Sequence, residues 1–266
     1  MRRVYYGDSG SAGRWVSPVA PRIIGARKMN ATGKPMEFQL NPQLDLNVLA
    51  AQYAADRRVR VSQLLPDDQA QALSQYLTDQ TDYRHAFVLD SNFGEASDFE
   101  LRNLPEDDRN RLLRSVLDQA ANGVGFWYGR RAINLDDKGL LGDLTRWLNS
   151  DETLSLMARI TGAEQFRSAI SQATRFKTGD FLTRHQDVVT EEQRQVAFVI
   201  NLSPRWHPDW GGLLQFFQMD GTPRDAWSPE YNTLSLFDVS HVHSVTCVSP
   251  FAPAPRLAIS GWFRLR

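Results

Sequence analysis

The run Arg256-Leu257-Ala258-Ile259-Ser260-Gly261-Trp262-Phe263 sets the reading of the fold. Alternation puts Arg256, Ala258, Ser260 and Trp262 on one face of a strand, expected to be a barrel interior. Behind it lie further strand-like segments: Ser168 to Phe176, Phe181 to His185, Gln195 to Leu202, Gly212 to Gln218, Thr233 to Val239 and His243 to Val248. Short β segments separated by turn residues, with no crossover helices between them, predict an antiparallel barrel or jelly roll over about residues 166–266.

Upstream, about residues 42–162, the pattern is mostly helical. Helices are expected over Asn47 to Arg57, from an N-cap at Asp67 to about Thr78, from Pro105 to about Asn122 with Gly123 ending it, and over Leu144 to Ile160. Arg58 to Leu65 alternates like a strand, and residues 83–99 read as an exposed loop that could cover a substrate. The acids Glu106, Asp107 and Asp108 match a helix dipole rather than a metal. Residues 1–36 hold seven Lys/Arg against Asp8 and read as a flexible basic tail ahead of a single domain at 37–266.

The 266 residues are 42% hydrophobic and 23% charged with a net charge of −1, which excludes wholesale disorder and a globally basic nucleic-acid binder. The charge balance carries no information on oligomeric state. No apolar run approaches the ~18 residues of a membrane span. A lone Cys247, read as a buried strand residue, excludes an intrachain disulfide and a multi-cysteine zinc site, and fits a reducing, cytoplasmic setting.

Chemistry concentrates in the β half, which holds four of the five histidines. In Arg184-His185-Gln186-Asp187 an extended backbone points His185 and Asp187 to the same side, so both can approach one cation. His243 is the candidate third ligand, with His241 as competitor. Two imidazoles and a carboxylate on one face of an octahedron leave three positions open, as in non-haem Fe(II) oxygenases. Arg256, if buried, needs an anion, either a bidentate carboxylate ligand or a structural partner such as Asp238. A second such tripeptide, His207-Pro208-Asp209, sits in a turn-like segment between two tryptophans and is read as a decoy. His85 is expected to pack or hydrogen-bond near Tyr83.

Taken together, His185-x-Asp187, His243-x-Val245 and Arg256 with Trp262 resemble the iron- and 2-oxoglutarate-dependent dioxygenases, in their prolyl-hydroxylase-like branch. The closing Arg256 to Phe263 run is most similar to the ribosomal-protein prolyl 3-hydroxylase group. Arg194 to Trp206 and Gly211-Gly212 also match, and the likeness spans roughly residues 40–266. The resemblance implies a mainly β, α+β fold with supporting helices around a double-stranded β-helix (jelly-roll, cupin-like) core. It implies that His185, Asp187 and His243 hold Fe(II), and it favours His243 over His241 as the third ligand. Arg256 would bind the distal carboxylate of 2-oxoglutarate. O2 is the second cosubstrate, ascorbate a possible reductant, and succinate and CO2 the co-products. Two departures stand out: Asn201 occupies the strand where a family tyrosine helps bind that carboxylate, and Phe176 replaces a second tyrosine. Ser260, on the Arg256 face, is a compensating donor.

The expected reaction is hydroxylation of a prolyl residue of a cytosolic protein. The alternatives are a free amino acid or other small molecule as substrate, and a non-catalytic cupin-like binding protein. Nucleic-acid demethylases of this superclass typically end on Arg-x5-Arg, and position 262 here is Trp.

Overall fold

The computed structural model describes residues 35–89 and 92–265. Residues 1–34 of the expected tail therefore lie outside the described residues. The elements run α1 (Leu46–Asp56), β1 (Arg58–Ser62), α2 (Asp67–Asp79), β2 (Arg84–Leu89), β3 (Asn92–Ser97), α3 (Asp98–Asn103), α4 (Glu106–Ala121), β4 (Phe126–Ile133), α5 (Leu140–Leu148) and α6 (Asp151–Thr161). The β half follows: β5 (Ser168–Phe176), β6 (Phe181–His185), β7 (Arg194–Asn201), β8 (Leu214–Phe217), β9 (Pro223–Trp227), β10 (Thr233–Asp238), β11 (Val242–Val245) and β12 (Arg256–Arg264).

One antiparallel sheet contains all of these strands, in the order β1-β10-β7-β12-β5-β4-β6-β11-β8-β9, with β2 pairing β4 and β3 pairing β2. Non-sequential neighbours such as β12 between β5 and β7 mark the crossing connections of a jelly roll. The sheet curls so that strands from both of its wings line one cavity. Fold class and core are those expected, a double-stranded β-helix with helices packed outside.

The helices explain why β7 and β12 are nearly continuous in hydrophobic character. Leu257, Ile259 and Phe263 of β12, with Val196, Phe198 and Ile200 of β7, pack in one core with Leu73 and Leu77 of α2 and Leu144 of α5. The opposite face of β12 turns Arg256, Ser260 and Trp262 into the cavity. A strand covered on both faces keeps its alternation in function rather than in polarity. Truncating Ile259 to Ala would remove roughly 2–5 kcal/mol of this packing.

Several expectations are corrected. Residues 42–162 are not only helical support: they contribute β1 to β4, and β4 lies mid-sheet between β5 and β6. Asp67 is the first residue of α2 rather than its cap, and Pro66 stands at the N-cap. The expected helix over Leu144 to Ile160 is two helices, because Ser150 caps a new one by accepting from the Thr153 N–H. The expected loop at 83–99 is the β2–β3 hairpin followed by α3, which a capping box of Ser97 and Glu100 starts. Cys247 is exposed just beyond β11 instead of buried.

Candidate metal centre

Strand pairing assembles the three ligand candidates. In the antiparallel pairing of β6 and β11, His185 lies directly opposite His243, and their rings stand 4.2 Å apart. Asp187, two residues past His185, is held by its N–H donating to the carbonyl of Val239 at 3.1 Å. Asp187 Oδ1 lies 3.5 Å from His185 Nε2, and Oδ2 lies 3.4 Å from His243 Nε2. Among the described residues this is the one cluster of three such ligands, all within 4.8 Å of one another.

Both imidazoles are oriented from behind. Nδ1 of His185 bonds the Thr183 carbonyl at 2.9 Å, and Nδ1 of His243 bonds the His241 carbonyl at 3.0 Å. A carbonyl only accepts, so Nδ1 carries the proton and each Nε2 presents its lone pair to the site. With metal–ligand bonds of about 2.1 Å, adjacent octahedral ligands stand about 3 Å apart, close to the spacing seen. Burial opposes charge at His185, but Asp187 outweighs it and raises its pKa; burial and His185 lower that of His243. Burial would raise the Asp187 pKa, yet the two imidazoles beside it hold it below the usual carboxylate range. Asp187 Oδ1 has no hydrogen-bond partner among the described residues. A divalent cation fits that donor set.

His241 does not compete. It precedes β11, and its Nε2 bonds the Asp56 carbonyl at 3.1 Å. His207 and Asp209 sit at an exposed 3-10 turn. His85 bonds Asp98, which also receives Arg175 and Lys177, and packs at a tilt against Trp127.

Arg256 lines the same cavity as the triad and is buried. Among the described residues no carboxylate pairs with it; Asp238 pairs with Arg57 instead. Its guanidinium lies 5.2 Å from the Phe176 ring centroid, its NH2 meets Asn201 Oδ1 at 3.4 Å, and its Nε has no partner. Burial lowers its pKa to about 10, so it stays charged at neutral pH. Asn201 gives its amide N–H to Thr233 Oγ1 at 3.1 Å and turns its carbonyl toward Arg256. Ser260 lines the cavity and accepts from Gln172 Nε2 at 3.2 Å. Gly211 and Gly212, both at positive φ, let the chain entering β8 pass close: a Cβ on Gly211 would stand 2.1 Å from the Cys247 carbonyl, and one on Gly212 would stand 3.2 Å from Arg256 Cδ.

Residues 171–264 match the family model described as the 2OG-Fe(II) oxygenase superfamily. The chain carries a domain of that superfamily. Such oxygenases use Fe(II), 2-oxoglutarate and O2. The chain is 31% identical over 189 residues to prolyl 3-hydroxylase OGFOD1 of Xenopus laevis, covering 67% of this chain and 34% of that protein. It is 30% identical over 125 residues to the Mus musculus protein of the same name, covering 44% and 22%. The chain thus spans about a third or less of those relatives. Among solved structures, a Pseudomonas putida prolyl-4-hydroxylase matches with a TM-score of 0.56 at 18% identity, over 84% of this chain and 100% of that one. A Trichoplax adhaerens prolyl hydroxylase in complex with a hypoxia inducible factor peptide fragment matches at 0.53 and 18%, over 82% and 88%. These likenesses agree with the jelly-roll fold.

Sequence reasoning named neither Gln172 nor Thr174 and assigned no role to Tyr128, all of which line the same cavity. Gln172, Thr174 and Phe176 are alternate residues of β5, so period-two counting back from Phe176 would have found the first two. Tyr128 stacks on Phe176 at 4.7 Å from β4, a strand the sequence did not reveal.

Proposed function

We propose that the protein is an Fe(II)- and 2-oxoglutarate-dependent dioxygenase that hydroxylates a prolyl residue of a protein substrate in the cytoplasm, with succinate and CO2 as co-products. In this reading residues 37–266 act as one unit, since one sheet draws strands from both halves. His185, Asp187 and His243 hold the metal, and Arg256 binds the distal carboxylate of the cosubstrate. The observation that carries the proposal is a buried His-Asp-His cluster and a buried, carboxylate-free arginine facing one cavity. Bound Fe(II) would let O2 oxidise two partners at once, 2-oxoglutarate, which loses CO2 and takes one oxygen atom as succinate, and the unactivated C–H bond, which takes the other; ascorbate would be a reductant for the metal. The chain's own residues do the positioning. Thr183 and His241 carbonyls aim the two Nε2 atoms, Asn201 steadies Arg256, Ser260 offers the cavity a hydroxyl that Gln172 holds, and Phe176 and Tyr128 wall out water. The prolyl protein substrate is supported by the names of the relatives and by the peptide bound to the Trichoplax neighbour.

Anaerobic loading with Fe(II) and 2-oxoglutarate tests the site. A weak visible charge-transfer band should form, vanish in His243→Ala and survive in His241→Ala; no band at saturating cosubstrate would overturn the reading. Mass comparison of extracts with and without active enzyme then tests the substrate. One added oxygen on a prolyl residue supports the proposal; succinate release driven only by free amino acids or other small molecules refutes the protein substrate.

A further inference from the structure

The chain passes from β10 to β11 through Asp238-Val239-Ser240-His241, and the four successive carbonyls of this bend all accept hydrogen bonds. That of Asp238 accepts from the His241 N–H at 3.0 Å and closes the bend. The other three serve the ligand candidates and the residue between two of them. Val239 accepts from the Asp187 N–H at 3.1 Å, Ser240 from the Gln186 side-chain amide at 2.6 Å, and His241 from Nδ1 of His243 at 3.0 Å. Asp187 and His243 thus take their positions from one bend, whereas the His185 ring is held by the Thr183 carbonyl of β6.

The end of α1 holds the bend. β1 pairs with β10, Arg58 opposite Phe237, which lays the junction of α1 and β1 alongside it. There the Asp238 N–H donates to the Arg57 carbonyl at 2.9 Å, the Arg57 guanidinium meets Asp238 Oδ2 at 2.9 Å, and Nε2 of His241 donates to the Asp56 carbonyl at 3.1 Å. Asp238 Oδ1 accepts from the N–H and the hydroxyl of Ser240, at 3.0 and 2.7 Å, and braces the bend from within. Carbonyls in the last turn of a helix lack a partner inside it, so the one at Asp56 is an acceptor for a side chain from elsewhere.

We infer that His241 is a positioning residue: its side chain ties the bend to the C-terminus of α1 and so fixes the carbonyls that orient His243 and Asp187. The inference rests on the proposed metal site. A ligand imidazole is aimed by the acceptor at its other nitrogen, and an acceptor on a bend is only as fixed as the bend itself. His241 therefore serves the site without ligating, its ring turned to the helix end and its carbonyl to His243. Because all three ligands remain, the site of a His241 variant still fills at saturating metal; what changes is affinity and the orientation of His243.

Titration with Co(II) alone tests it without reference to turnover. Affinity is read from the visible d–d absorption, and ligand orientation from the paramagnetically shifted imidazole N–H signals, which appear in H2O and vanish in D2O; the wild type should show one from His185 and one from His243. Losing a group bonded directly to a metal ligand lowers affinity about 10- to 100-fold, and His241→Phe loosens such a group without removing it, so the fall should be about 3- to 10-fold. One N–H signal should move and exchange faster while the other stays. His241→Gln, whose amide can donate to the same carbonyl, should restore most of both. A folded His241→Phe protein with wild-type affinity and both signals in place overturns the inference and leaves the metal site standing. Equal movement of both signals also overturns it, because a general loosening of the barrel would then explain the loss. A wild type that binds no Co(II) overturns the site, and this inference with it. Should His241→Phe not fold, Arg57→Gly takes its place: glycine suits the left-handed backbone there, at φ 55°, and the tie to Asp238 is lost. The same single signal should then move by less, and two unmoved signals overturn the inference.

Discussion

Arg58 and Arg256 are both buried, at 6% and 2% exposure, and differ in what faces them. Arg58, at the start of β1, donates from Nε to Asp56 at 2.7 Å and from both terminal nitrogens to Asp225 at 2.6 and 2.8 Å, with the Phe216 ring 4.4 Å away. Its carboxylates outweigh burial, and its pKa is raised. Arg256 has a ring, an amide carbonyl at 3.4 Å and an unpartnered Nε, and burial lowers its pKa. Burying a guanidinium is costly unless it is paired. Arg58 has its partners within the fold and serves the fold. Arg256 leaves a cost that an anionic ligand would offset, which supports the binding role proposed for it.

The largest expected effect breaks the pair by function. Arg256→Leu should weaken 2-oxoglutarate by about 100-fold or more, since charge-assisted bonds to a buried carboxylate are lost, while thermal stability holds or rises. Calorimetric titration and a melting curve on one sample check both parts; a stability loss with unchanged affinity would reverse the roles. Arg58→Leu should do the opposite. Asp56 and Asp225 are about 40% exposed and rehydrate, so the loss should be only about 1–2 kcal/mol by denaturant titration, with cosubstrate affinity within twofold.

Asp180 sharpens the comparison, because an unpaired buried acid can shed its charge and an arginine cannot. Burial raises its pKa to about 7, against the lowering effect of the Lys177 N–H. The folded state therefore holds a proton that the unfolded state, with a pKa near ~3.9, releases. That stability is full below the unfolded value and is lost as pH rises toward 7. Asp180→Asn should flatten this dependence and favour the variant by roughly 2–4 kcal/mol at pH 8 relative to pH 4. Urea unfolding at both pH values measures it, and parallel shifts at the two would count against it. The smallest effects come last: Asn201→Ala, beside Arg256, should raise the 2-oxoglutarate KM only severalfold, and His207→Ala, at an exposed turn, should leave metal affinity unchanged.

Two tripeptides show how far the site was legible. His185-Gln186-Asp187 and His207-Pro208-Asp209 share a spacing, but the side chains of the first are 5% exposed and those of the second 61% and 78%. Proline and two flanking tryptophans marked the second as a turn, while a third histidine and a late arginine marked the first. The separation of His243 from His241 was not legible from alternation, which puts both on one side. The chain decides it by starting β11 at Val242, so that His241 turns to the Asp56 carbonyl. The strands β5, β6, β7, β8, β10, β11 and β12 were readable because each is a short run of strand-forming residues set off by turn residues, with no crossover helices between them. β4 was not: Gly129 and the adjacent Arg130 and Arg131 break its pattern, and a Cβ at Gly129 would stand 3.2 Å from the Arg175 carbonyl. β9 is a short edge strand, mostly exposed, in which only Trp227 at its end packs inward, so no apolar residue recurs at period two.

By itself the sequence determined the chemistry available: which side chains can ligate a cation, which arginine shares a strand face with the cavity, and which period makes a strand. Those are local properties, set by residue type and by i to i+2 geometry. Only the tertiary structure decided that His185 would face His243, that Asn201 would turn its carbonyl to Arg256, and that Arg194 would lie on Trp262. Each of these joins strands distant in the chain, and pairing register with burial, neither of which is a property of any single segment, selects among the arrangements that local chemistry allows.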